Sequence, residues 1–166
     1  LLDHNAIDQG EMKIKISGFD VNSVCREVIS NFKEDAERKH IELVLETGEN
    51  EITLNTDKVI LYEILQNLIS NSIKFSPENK NVYLKVIDSP ERVAIEVKDE
   101  GPGFSDEDKR KMFNKFARLS AKPTGNEHST GLGLSIVKKL CELISANLKL
   151  ESTENEGASF TVFIKK

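Results

Sequence analysis

The sequence predicts an α+β domain, a two-layer α/β sandwich in which about three helices cover one face of a mixed, mostly antiparallel sheet. Three observations carry this prediction. Val82, Leu84 and Val86 alternate, as do Val93, Ile95 and Val97, and the turn residues Asp88-Ser89-Pro90-Glu91 make the two runs an antiparallel pair with one buried face. Apolar residues recur at helical spacing in three places, around 21–36, 61–75 and 134–144. The order of elements is neither a regular βαβ alternation nor all-β, so the helices gather on one side of the sheet.

Taken in order, residues 1–18 read as a helix end that passes through Gly10 into a short edge strand around Met12, Ile14 and Ile16, a linker ahead of one domain at 19–166. Asp20 caps the next helix, in which Val21, Val24, Cys25, Val28, Phe32 and Ala36 form a single buried face and Arg26, Lys33 and Glu37 a solvated one. IELVLE at 41–46 and EITLN at 51–55 are strands, expected to form a hairpin across Thr-Gly-Glu-Asn. The helix at 61–75 ends at Ser76-Pro77, since the residue before a proline is pushed out of helical geometry. After the 82–86 and 93–97 pair, a short helix is expected near 105–113. The stretch 117–130, rich in Ser, Lys, Pro, Gly, Asn and His, has the length and polarity of a lid or binding loop. Gly131-Leu132-Gly133-Leu134 opens the last helix, and two alternating strands follow, one with Leu148 and Leu150, the other with Phe160, Val162 and Ile164.

At 166 residues, with 38% hydrophobic and 31% charged side chains, the chain holds one core and is not disordered. A net charge of -5 argues against a nucleic-acid partner or an anionic membrane surface and confines any phosphate site to a local pocket. Cys25 and Cys141 lie in apolar helical patterns without a CxxC motif, as buried thiols of a reducing compartment do. With no apolar run of 18 residues and no signal-peptide start, the piece reads as cytoplasmic and without membrane contact of its own, although a longer parent protein could be anchored. Its start at Leu1 reads as that of a fragment.

The helix at 61–75 has two unlike faces. Leu61, Leu65, Leu68, Ile69, Ser72 and Ile73 share one side, and Glu63, Asn67, Ser70, Asn71 and Lys74 share the opposing arc. Asparagine is a poor helix former because its amide competes for backbone hydrogen bonds, so two of them one turn apart mark a site. Two further stretches join it, Asp99-Glu100-Gly101-Pro102-Gly103 and Thr130-Gly131-Leu132-Gly133-Leu134. In this order and spacing the three resemble the N, G1 and G2 boxes of the catalytic, ATP-binding domain of sensor histidine kinases, in the superfamily that also holds gyrase-type, chaperone and mismatch-repair ATPases. Phe113-Asn114-Lys115-Phe116-Ala117-Arg118 resembles that family's F box. The resemblance covers about 19–166, implies the Bergerat-type ATP-binding fold, and makes residues 1–18 similar to the end of a dimerisation helix and its linker.

The chemistry suits those boxes. A carboxylate at a strand end, Asp99, accepts a hydrogen bond from the exocyclic amine of adenine, and Gly101 and Gly103 let the backbone pass close to the ring. Asn71 offers Mg²⁺ a neutral oxygen, Asn67 helps order the metal's water shell, and Lys74 faces phosphate as a point charge. Thr130, Gly131, Leu132, Gly133 and Leu134 form a helix start whose free N–H groups meet the triphosphate. The resemblance implies that Lys115 and Arg118 stabilise the γ-phosphate during transfer. Ser129 replaces the glycine that often begins the G2 box, Ser145-Ala146-Asn147 replaces a small pair after the last helix, and Gly157 alone remains of a late glycine pair.

The implied activity is binding of Mg-ATP and transfer of its γ-phosphate to a histidine on an adjoining dimerisation domain, for relay to a receiver aspartate of a response regulator, within a homodimer of the full-length protein. None of His4, His40 and His128 stands in an H-box setting, so the acceptor is expected outside this chain. The alternatives are an ATP hydrolase or Ser/Thr protein kinase on the same fold, and a degenerate nucleotide-binding interaction module. Hydrolases of the superfamily place a glutamate at the first N-box position, where this chain has Asn67, and an amide is no general base.

Overall fold

A computed structural model describes residues 2–114 and 133–166. Its helices are α1 (His4–Gln9), α2 (Val21–Arg38), α3 (Lys58–Phe75), α4 (Asp106–Lys111) and α5 (Gly133–Leu143). Its strands are β1 (Ser17–Asp20), β2 (Glu42–Glu46), β3 (Thr53–Thr56), β4 (Asn81–Asp88), β5 (Arg92–Asp99), β6 (Asn147–Ser152) and β7 (Ala158–Lys165).

Five strands form the main sheet in the order β2-β4-β5-β7-β6, with β2 parallel to β4 and every other pair antiparallel. Register decides what the sheet buries. Leu84 lies opposite Val97 and Val86 opposite Ile95, while Val97, Ile95 and Val93 lie opposite Phe160, Val162 and Ile164, and all of these are buried. Because side chains alternate faces with period two, the series Val93, Ile95, Val97 continues to Asp99, whose neighbours in the row are Val82 and Ala158. The fold thus places a carboxylate at the end of a hydrophobic row. The other face carries polar contacts, among them the Ser159 hydroxyl donating to Glu96 and the Arg92 guanidinium over the Phe163 ring.

Helix α3 packs between α2 and α5 on the apolar face of the sheet and buries Ile60, Leu61, Ile64, Leu65, Leu68, Ile69, Ser72 and Ile73. It starts three residues before the sequence pattern suggests, because the Asp57 carboxylate accepts from the Val59 and Ile60 amides and caps it. Asp20 caps α2 in the same way. Helix α1 packs on α5 through the buried Ile7.

Two expectations need correction. The hairpin across Thr-Gly-Glu-Asn does not form, because β2 joins β4 while β3 pairs with β1 in a separate two-stranded sheet. Turn chemistry is local, whereas the start of α2 holds this connection from a distance. The buried Asn22 amide donates to Gly48 and Asn50 carbonyls, the Ile52 amide donates to Asp20, and the Val21 amide to the Ile52 carbonyl. The strand expected around Met12, Ile14 and Ile16 is displaced as well. Regular pairing begins at Ser17, and Ile16 is 72% exposed, so alternation there reflects no buried face.

Candidate functional site

The polar arc of α3 is not a solvent face. Glu63, Asn67, Ser70, Asn71 and Lys74 are all half-buried, because α5 packs beside them. The Asn67 amide donates to the Glu63 carbonyl one turn back at 2.8 Å, which fixes its orientation and aims its oxygen away from its own backbone. That oxygen meets the start of α5. A Cβ on Gly133 would stand 3.5 Å from Asn67 Oδ1, 3.4 Å from Asn71 Nδ2 and 3.6 Å from Asn71 Oδ1. Two asparagines and a glycine helix start, 62 positions apart between Asn71 and Gly133 in the chain, therefore share one small space.

On the other side of Asn71 lies a pocket walled by Phe75, Phe104, Leu134 and Phe160, with the Asp99 carboxylate among them. Phe104 and Phe160 meet edge to face, with ring centroids 6.0 Å apart. Asp99 is only 8% exposed. Its Oδ1 accepts from the Gly101 amide at 2.9 Å and the Ala158 amide at 3.3 Å, and its Oδ2 from the Ser72 hydroxyl at 3.4 Å. Burial pushes the Asp99 carboxyl above the usual carboxylate range, and these three donors pull it partly back. One oxygen is thus committed to the backbone while the other keeps acceptor capacity toward the pocket. An apolar slot with one carboxylate fits a flat heterocycle bearing an N–H donor.

The glycines are required by close approach. A Cβ on Gly101 would stand 3.2 Å from the Phe75 carbonyl oxygen, and Gly103 has φ +66 with the Thr153 carbonyl where its Cβ would be. Gly157, at φ +88, lies against the Asp99 carbonyl in the same way. The Ser152 hydroxyl accepts from the Phe104 amide and donates to the Gly157 carbonyl, both at 2.9 Å, tying the 101–105 turn to the β6–β7 connection.

Of the residues singled out in the sequence, the structure brings Asn67, Asn71, Asp99, Gly101, Gly103, Gly133 and Leu134 around one region. Lys74 follows one turn beyond Asn71, half-buried, without lining the aromatic pocket. Lys115, Arg118, Thr130, Gly131 and Leu132, with the 117–130 loop, lie outside the described residues. Sequence reasoning passed over Ser72, which sits on the apolar side of α3 and yet contacts Asp99, over the aromatic walls Phe75, Phe104 and Phe160, and over the supporting Ser152. A serine inside an otherwise apolar helical stripe was the available signal for Ser72.

The family model described as histidine kinase-, DNA gyrase B- and HSP90-like ATPase matches residues 56–166. The circadian input-output histidine kinase CikA of Synechococcus elongatus is 30% identical over 166 residues, covering 99% of this chain and 22% of CikA. The chain thus spans about a fifth of that relative's length. Among solved structures, full-length ShkA in complex with AMPPNP superposes with a TM-score of 0.80 at 25% identity, over 92% of this chain and 31% of ShkA. Histidine kinase ThkA in complex with the response regulator protein TrrA superposes with a TM-score of 0.79 at 25% identity, over 98% of this chain and 46% of that one.

Proposed function

The chain belongs to the histidine kinase-, DNA gyrase B- and HSP90-like ATPase family, and from that premise we propose that it binds ATP with Mg²⁺ and donates the γ-phosphate to a histidine on an adjoining dimerisation domain of the same protein. The phosphohistidine then passes its phosphoryl group to an aspartate on a response regulator receiver domain. The observation that carries this reading is the double position of Asn71, which lines the Asp99 pocket and also abuts Gly133. A base in the pocket would have its phosphates directed along α3 toward the start of α5.

In this reading Asp99 accepts from the adenine amine, with Gly101 and Ala158 holding the carboxylate in place. Phe75, Phe104 and Phe160 exclude water from the ring. Asn71 and Asn67 supply amide oxygens for Mg²⁺ and its waters, a donor set that fits a hard cation completing its shell with phosphate oxygens. Bound there, the ion would neutralise charge on the β- and γ-phosphates. Lys74, Lys115 and Arg118 contribute positive charge, and the glycine-containing stretch Thr130 to Leu134 contributes backbone amides. The histidine nitrogen attacks phosphorus, the bond to the β,γ-bridging oxygen breaks, and ADP leaves. Asn67 carries no basic lone pair, so nothing at that position activates water as a carboxylate would.

For partners, ThkA bound to TrrA supports a receiver domain, and a homodimer of the parent protein completes the proposal. Among the described residues no helix is long and apolar enough to cross a membrane, and we place the reaction on the cytoplasmic side. The test is transfer from radiolabelled ATP. The chain alone should bind ATP and label itself scarcely, and acid-labile label should appear on a helical hairpin carrying the acceptor histidine once the two are joined. Rapid release of free phosphate would favour a hydrolase, acid-stable label a Ser/Thr kinase, and absence of ATP binding an interaction module.

A further inference from the structure

The last turn of α3 is gripped from behind by a lysine outside the pocket. Lys39 is the C-cap of α2 and is 6% exposed, and its ammonium donates to the Ile73 carbonyl at 2.6 Å and the Lys74 carbonyl at 2.8 Å. Helix C-termini leave carbonyls without helical partners, and a cation there also meets the negative end of the helix dipole. The carbonyl that follows, Phe75 O, is the one that a Cβ on Gly101 would approach to 3.2 Å. Three successive carbonyls therefore run from Lys39 to the turn that holds Asp99.

The same corner is latched at further points. His40, in left-handed backbone at φ 55, accepts from the Asn79 amide at 3.1 Å, and the Glu42 amide donates to the Lys80 carbonyl at 3.2 Å. At the far end of that loop the Asn81 amide donates to Glu100, the residue after Asp99, at 2.7 Å. The α2–β2 corner, the α3–β4 loop and the Asp99–Gly101 turn are one hydrogen-bonded unit.

We infer that Lys39 is a positioning residue for the nucleotide pocket, setting where Phe75 and Asn71 stand relative to Asp99 and Gly101. The inference rests on the nucleotide reading proposed above. Removing the ammonium would leave the buried Ile73 carbonyl without this donor, so Lys39 also stabilises the helix end, and a loss of ADP affinity in a variant that stays folded is what distinguishes positioning from that. A cation with two short bonds to consecutive carbonyls fixes the last turn in one place.

Lys39→Met keeps the stem and removes the ammonium, and Lys39→Gln keeps a neutral donor should the first variant fail to fold. In a variant with native circular dichroism, measured below its melting transition, the ADP dissociation constant should rise about tenfold, since a small displacement of binding groups is amplified in affinity. Amide exchange should quicken at Ser76 and Gly101 while α2 keeps its protection. A folded variant that melts earlier but binds ADP within about twofold of wild type would reduce Lys39 to a structural role and overturn the inference. A measurement without substitution stands beside it: the ¹⁵N-labelled ammonium resonance of Lys39 should move on saturation with ADP, and an unmoved resonance also overturns it. Wild-type chain that binds no ADP would sink the nucleotide reading and the positioning role together, whereas wild-type binding with an indifferent Lys39 sinks the positioning role alone.

Discussion

Asp99→Asn changes the charge at the end of the hydrophobic row without changing its shape, and so separates what the carboxylate does for the ligand from what it does to the fold. Asn Oδ1 can still accept from the Gly101 and Ala158 amides, and its NH₂ can donate to Ser72 Oγ, so the two backbone donors keep their acceptor and only the Ser72 hydroxyl proton, now held by a long 3.4 Å bond, must turn to another acceptor. What disappears is one charge-assisted acceptor facing the pocket. Such a bond contributes about 1.5–3 kcal/mol, so ADP affinity should fall by about 10- to 150-fold. Stability of the ligand-free chain should move the other way. Burial raises the Asp99 pKa in the folded state above its ordinary value of 3.8, so between those two values the native state holds more protons than the unfolded chain. The contribution of Asp99 to stability is therefore greatest below the ordinary value and declines as pH rises through the raised one. The asparagine does not titrate, and above that window the variant should be the more stable protein. Calorimetric titration with ADP and urea unfolding at a series of pH values test both halves. Unchanged affinity would refute the base-recognition role, and a variant less stable than wild type at neutral pH would refute the burial argument.

Gly133→Ala should divide stability from binding in another way. Among the described residues its methyl would come nearest the amide tips of Asn67 and Asn71, at 3.4–3.6 Å, and would improve a helix position by up to about 1 kcal/mol, raising Tm by about 2–4 °C, yet it fills the space between the two amides. Affinity for ATP with Mg²⁺ should drop about tenfold or more, and a calorimetric titration that finds it unchanged would remove Gly133 from the site. Gly103→Ala, by contrast, should damage the fold itself, since φ +66 is strained for alanine and its methyl would collide with the Thr153 carbonyl. Strain and overpacking together cost about 2–4 kcal/mol, a fall in Tm of about 5–15 °C, and a thermal scan showing less than about 2 °C would contradict the described turn.

Helices and strands can be read from the amino-acid pattern wherever burial follows a simple period. Val82 to Val86, Val93 to Val97 and the apolar stripe of α3 are legible because a side chain's face is set by its own backbone geometry. The sequence also marked Asn67 and Asn71 as poor helix formers within a helical pattern, and Asp99 and the glycines through the resemblance of their stretches to two further boxes; the register then shows Asp99 at a place where the alternation calls for another apolar side chain. Partnership was another matter. Nothing local tells β3 to leave β2 for β1, because that choice is made by Asn22 and Asp20 reaching across to the 48–52 connection. Nor does any local pattern say that Ser72 faces a carboxylate, that Gly157 lies under the Asp99 carbonyl, or that Lys39, at the end of a charged helix surface, turns inward to α3. Period reports which way a residue points relative to its own element. What it then meets depends on register, crossing and the packing of elements far apart in the chain, and those exist only once the tertiary structure has formed.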